Sequence, residues 1–223
     1  DYDCEGTIAH HYDKHHASYI ARTVLEADVV INLPKLKTHE KAGVTLNLKS
    51  AVGISGDKNW IPHYRAGVPS QGGDESPERG LIHQWMCQAK DTVKRRVSRM
   101  NRIELFLICK ARKVHKAWSN LQESKFIGSG GWYGNDTLWR SILDLNRILL
   151  YANRDGIIRR QKQRRLFSLV DGIVAGERNG PLYPQAKRCG VLLTGEDLLS
   201  VDLCATRLMG FDPRRVRSVY RAA

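Results

Sequence analysis

The sequence predicts an α/β fold: a mostly parallel, Rossmann-like sheet carrying a basic helical insertion. Three observations lead there. An apolar run (Val29, Val30, Ile31, Leu33) breaks at Pro34 and feeds a basic, polar loop, as strands of open α/β sheets do at their carboxyl ends. Two later runs, LFSLVDGIVA from Leu166 to Ala175 and GVLLT from Gly190 to Thr194, alternate with helical segments, the grammar of right-handed crossovers. Between them, residues 81–125 place apolar side chains at helical spacing (Val93, Val97, Met100; Ile103, Leu107) within a strongly basic composition.

A chain of 223 residues can bury one sizeable core, so a single α/β domain over residues 1–223 is expected, with the helical insertion at about 80–130. It begins at Asp1 rather than Met and enters an amphipathic segment almost directly, which reads as an N-terminally incomplete domain. The element order follows. Ser18 to Glu26 reads as a short helix before the strand at 28–33. Residues 1–26 also hold His10, His11, His15 and His16; on a helix His11 and His15 share a face and could chelate a metal, or all four are simply exposed. Residues 55–80 form a Gly/Pro-rich loop whose Trp60, His63, Tyr64, Arg65, Asp74 and Glu75 suit a binding loop. After the glycines at 128–131, Asp136 or Thr137 caps a helix with Leu138, Ile142, Leu145, Ile148 and Leu149 on one face. The strand to Ala175 is followed by a turn, GERNGPLYP, and by the second strand. Glu196 and Asp197 then open a helix that stops at Gly210.

The balance of 36 Lys and Arg against 23 Asp and Glu, a formal net charge of +13, attracts anions: small metabolites, nucleotides, nucleic acid or an anionic membrane face. The five cysteines are widely spaced and form no CxxC pair, so no zinc ribbon or iron–sulfur motif is present; Cys109 and Cys204 sit in apolar runs and read as core. A reducing cytoplasmic setting, at most peripheral to a membrane, is expected. The GxGxxG and GxxxxGK[ST] phosphate loops are absent.

Three constellations can carry chemistry. Lys35, Lys37, His39 and Lys49 follow the first strand, with Gly43 and Gly53 permitting close backbone approach; the lysines suit a phosphate or carboxylate, and Asn47 belongs with them. His39 can move protons near neutrality, and Lys49, in an apolar context, is the best candidate for a lysine of lowered pKa. Asp171 ends the strand that begins at Leu166, Glu177 and Asn179 follow it, and the three could complete the polar side of a site, or merely stabilise turns. Asp202, between Val201 and Leu203, needs a partner if buried, and Arg207 lies only weakly within reach.

The segments ADVVINLPKLKTH, GVTLNLKSAVG, ILDLNRILLYA, VDGIVAGERNGP and VDLCATRLMGFDP, in that order from about Glu26 to Pro213, resemble the prokaryotic "domain of unknown function 362" family, with residues 80–130 resembling an insertion. The resemblance implies a further α/β segment upstream, and it assigns no activity. Many members of that family carry a ferredoxin-type iron–sulfur module, which this sequence lacks. A more distant similarity is to the lactate racemase family, which uses a nickel-pincer nucleotide. Here His39, then Ala42-Gly43, then Lys49-Ser50 repeat that family's ten-residue step from histidine to lysine. The similarity implies an anchoring or nucleophilic Lys49 and an acid–base His39. Thr38 and Leu48 depart from its pattern, and no other nickel ligand is placed, so what carries over is a related site architecture.

The sequence therefore leans towards an enzyme-like domain binding a small anionic molecule, with the cofactor open between a nucleotide type, a metal or none. The alternative is a non-enzymatic basic module whose residues 90–116 and 158–165 bind an acidic partner, an anionic membrane surface or, with less support, nucleic acid.

Overall fold

Pro34 gives the central sheet its shape. It has no N–H for a strand ladder, so the apolar run divides into β3 (Val29–Asn32) and β4 (Lys35–His39). In this computed structural model both strands pair parallel with one edge of the long β6 (Arg165–Asn179): Val29 opposite Arg165 through Asn32 opposite Ser168, then Lys35 opposite Asp171 and Lys37 opposite Gly176. β5 (Gly43–Thr45) turns back antiparallel on β4, and β7 (Tyr183–Gly195) runs antiparallel along the other edge of β6. The α/β class read from the sequence holds, its parallel part being β3 and β4 on β6.

The structure describes residues 4–78 and 130–223, with Gln84, Trp85, Gln88, Thr92, Asn101, Ile103, Glu104, Phe106 and Lys110 between them. The expected basic helices over 81–125, including the 90–116 surface and Cys109, therefore lie almost wholly outside the described residues. The chain forms two compact units, Asp1–His63 with Asn135–Ala223, and Tyr64–Gly134. In the second unit, Asp74, Glu75 and Ser76 are buried; Asp74 accepts from the Arg65 backbone N–H, and its carbonyl accepts from the Trp132 indole at 2.8 Å. Among the described residues no helix is long and apolar enough to cross a membrane.

In the first unit the strand period of two puts Leu166, Ser168 and Val170 inward and Phe167 and Ile173 outward. The inward side chains meet α3 (Asn47–Ser50), α4 (Leu138–Tyr151), α5 (Leu198–Leu208) and α6 (Arg217–Ala222) around Leu36, Val44, Leu46, Leu48, Ile142, Val201, Ala205 and Val219. α4 buries Leu138, Ile142, Leu145 and Leu149 of the stripe that its sequence predicts, with Ile148 only partly covered. Thr137 stands at the N-cap position but its side chain makes no capping hydrogen bond. The Asn135 side-chain oxygen accepts from the backbone N–H groups of Thr137 and Leu138, while Asp136 pairs with Arg140 and Arg217. Asp197 caps α5 as expected, accepting from Ser200 N–H.

Several expectations are corrected. GERNGPLYP is mostly strand: β6 continues to Asn179, β7 begins at Tyr183, and only residues 180–182 turn. Gly176 is a strand residue there because a side chain would press on Lys37 and Pro184 at 2.9 Å. Gly53 faces open space rather than a close approach. Cys204 is exposed. His11 and His15 share no helix face, because α1 (Cys4–His10) stops before them and β1 (His11–Tyr12) pairs with β2 (His15–His16). The basic run at 158–165 contains one structural residue: Arg164 is buried, and its guanidinium donates to the carbonyls of Leu149, Ala152 and Leu25.

Candidate functional site

The platform for the site is a buried polar network at the junction of β3, α3, α5 and β6. Asp202 of α5 is almost wholly buried; one carboxylate oxygen accepts from the Asn47 backbone and side-chain N–H groups (both 2.9 Å), and the other from Leu48 N–H at 2.8 Å. Its partners are thus the first N–H groups of α3, and not Arg207. Burial pushes this carboxyl up to about 6, against the pull of its three N–H donors, so it is ionised at neutral pH. Ser168 donates to the Asn47 side-chain oxygen at 2.7 Å, Asn32 donates to the same oxygen at 3.1 Å, and Ser50 donates to Asn32 at 2.6 Å. From the other side, Asn146 of α4 donates to the Leu48 carbonyl at 2.7 Å. Four elements (β3, α4, α5 and β6) thereby fix the four-residue helix that carries Lys49.

Lys49 is partly buried and, among the described residues, makes no hydrogen bond or ion pair. Burial first, then the nearby charge of Lys37, lower its pKa. Its neighbour His39, at the end of β4, is only 7% exposed. The His39 Nδ1 accepts from the backbone N–H groups of Lys41 (3.2 Å) and Ala42 (3.3 Å), which puts the ring proton on Nε2. Burial, reinforced by Lys49, Lys41, His63 and Lys37, pushes the imidazole down to about 3, so it is neutral at physiological pH. His63 is pushed down to about 4 by burial and by Lys41 and Lys49, against the raising effect of its 2.8 Å hydrogen bond to the Ile61 carbonyl. The assembly is a neutral Nε2–H donor and a desolvated lysine within a positive field.

The end of the β6–β7 hairpin holds this edge of the sheet in place. Lys37 donates to the Pro181 carbonyl at 3.1 Å, Thr38 to the Arg178 carbonyl at 3.0 Å, and the Glu40 backbone N–H to the Gly180 carbonyl at 3.1 Å. Gly180 can sit there only without a side chain, since a Cβ would lie 2.0 Å from the Thr38 carbonyl oxygen.

The structure thus puts Lys37, His39 and Lys49 within electrostatic reach of one another, while Asn47 is a buried structural amide bonded to Asp202 and Ser168. The other candidates have engagements of their own. Lys35 pairs with Asp171 at 2.7 Å, which holds the Asp171 carboxyl below its usual range. Glu177 pairs with Lys187 across the hairpin, again at 2.7 Å, and its carboxyl is lowered for that reason. Asn179 is exposed at the end of β6. His63 and Lys41 join the cluster without having been singled out for it; the aromatic and histidine content of residues 55–80 was the signal for His63. Among the described residues, no group of three or more His, Cys, Asp or Glu side chains is placed to hold a metal ion together.

The family model described as "Domain of unknown function (DUF362)" covers residues 2–207. No curated protein and no solved structure is matched, and the likeness to lactate racemase is not shown.

Proposed function

This chain belongs to the DUF362 family, and from its geometry we propose that the Lys37–His39–Lys49 cluster binds a small anion and directs lysine-centred chemistry on it. The observation that carries this reading is Lys49: a partly buried lysine, without a carboxylate partner among the described residues, in a field already positive enough to help keep two histidines neutral. A carboxylate or phosphate supplies the missing counter-charge. Lys37 and Lys49 hold the anion, and His39 donates its Nε2–H to an anionic or polarised oxygen. Lowering the Lys49 pKa enlarges its neutral fraction, the form that abstracts a proton or attacks a carbonyl. A bound anion reverses the field and raises all three pKa values, so His39 then becomes able to accept a proton at moderate pH.

The competing basic-module reading draws on surfaces such as 158–165, yet Arg164 of that run is committed to the carbonyls at the end of α4. Isothermal titration with inorganic phosphate and with pyruvate tests the proposal. Wild type should bind one or both, Lys49→Met and His39→Gln should each lose binding by tenfold or more (~1.4 kcal/mol), and circular dichroism should show both variants folded. Retention of affinity in Lys49→Met refutes the assignment. Binding of a polyanion such as heparin that falls steeply with salt but ignores Lys49→Met supports the basic module instead.

A further inference from the structure

The N-terminal histidines form a second constellation, separate from the basic cluster. β1 and β2 place His11 directly opposite His16, and their Nδ1 atoms stand 3.3 Å apart. That is within reach of a hydrogen bond between the two imidazoles. It also matches the separation of two ligands on one tetrahedral ion: nitrogens about 2.0–2.1 Å from zinc, at tetrahedral angles, lie about 3.3 Å from each other.

The ring chemistry agrees with the spacing. His11 Nε2 is 2.6 Å from the Trp60 carbonyl oxygen; a carbonyl can only accept, so Nε2 carries the proton and Nδ1 presents its lone pair towards the His16 side. A histidine whose far nitrogen donates to a backbone carbonyl is the usual orientation of a metal ligand. The hairpin is also anchored. His10 stacks on Trp60 with centroids 3.2 Å apart, and Thr7 donates to the Asn59 carbonyl at 2.6 Å. His15 is not part of the pair: it stacks on Tyr12, the next cross-strand pair along the hairpin.

We propose that His11 and His16 form a two-histidine site for a divalent transition-metal ion of the Zn2+ type, bound through both Nδ1 atoms. No third His, Cys, Asp or Glu among the described residues completes it, so water or a ligand oxygen fills the remaining positions. The site is accessible, because His16 is exposed and His11 only partly covered.

Calorimetric titration of the 223-residue chain with ZnCl2 at pH 7.5, in a non-coordinating buffer, is the test. Wild type should take up one Zn2+ with Kd on the order of 10 µM. His16→Ala should weaken this by at least about tenfold, and His11→Gln likewise with an unchanged melting temperature in the absence of metal. His15→Ala should bind as wild type does. The proposal is overturned if wild type shows no saturable uptake, if His16→Ala keeps full affinity, or if His39→Gln rather than His16→Ala removes binding.

Discussion

Replacing Arg164 by Met tests how the first unit is built, because it keeps the aliphatic stem and removes only the guanidinium. Arg164 is 5% exposed and donates to Ala152 O at 2.6 Å, Leu25 O at 3.0 Å and, at shorter range, Leu149 O. Two of those acceptors belong to the C-terminal end of α4, where the carbonyls have no helical partner and the dipole favours a cation. Three charge-assisted bonds at about 1.5 kcal/mol each give roughly 4–5 kcal/mol. Against this stands the cost of burying the guanidinium, visible in the lowering of its pKa by burial and in its unpartnered Nε, which the variant recovers in part. The bonds should win, because the variant leaves the same carbonyls buried without donors, and a net loss of about 3 kcal/mol is expected. In urea melts followed by far-ultraviolet circular dichroism, that is a midpoint shift of about 1 M or more. Arg164→Lys keeps the charge but not the planar fork, and should fall about halfway. A Met variant within 1 kcal/mol of wild type, by the same scale, would refute the capping argument and return Arg164 to the exposed basic run.

Two further outcomes follow from the same geometry. His39 has a folded pKa of about 3 against an ordinary 6.5, so below pH 6.5 the unfolded chain takes up the proton first. Its contribution is complete well above pH 6.5 and falls as pH is lowered, by about 2 kcal/mol between pH 6.5 and 4.5. His63 acts in the same direction, and Asp202, raised to about 6, opposes both between pH 6 and 4. Denaturant melts across this range should show stability dropping towards acid, with the slope reduced in His39→Gln; an unchanged slope would mean that His39 is not buried neutral. Gly180→Ala, which forces a Cβ to within 2.0 Å of the Thr38 carbonyl oxygen, should lift the hairpin end from β4, cost about 2 kcal/mol and speed hydrogen exchange at Glu40 N–H, whereas Gly53→Ala, with nothing within 4 Å, should do neither.

What the sequence disclosed was local. Pro34 as a strand break, the apolar stripe of α4 and the Asp197 start of α5 are decided within a few residues, where capping, periodicity and proline sterics act. The errors came where a distant partner decided. Glu177 and Asn179 read as turn residues, but pairing with β7 keeps the backbone extended through both. Asp202 had no visible partner because its donors lie about 155 positions away, at Asn47 and Leu48. His39 and Lys49 could be joined by their spacing, whereas His63 reached them only through the path of a loop whose course no periodicity encodes.

The proposed small-anion site and the basic-module alternative ask different things of Lys49. A surface that grips a polyanion works with solvated, fully charged lysines, whose pairing with phosphates releases counterions and costs little desolvation. Lys49 is the reverse case: burial has already removed part of its hydration, and Lys37 adds repulsion rather than relief. Such an arrangement is unfavourable in the empty protein, since each cation raises the cost of charging the others. In the proposed function, the unfavourable field becomes useful when a small anion enters, because the desolvation would have been met during folding and the attraction would then appear in binding. The Asp202–Asn47–Ser168 network, invisible at the surface, has a role in this: it fixes α3 against β3 and β6, so that Lys49 cannot escape its crowded position simply by swinging its helix away.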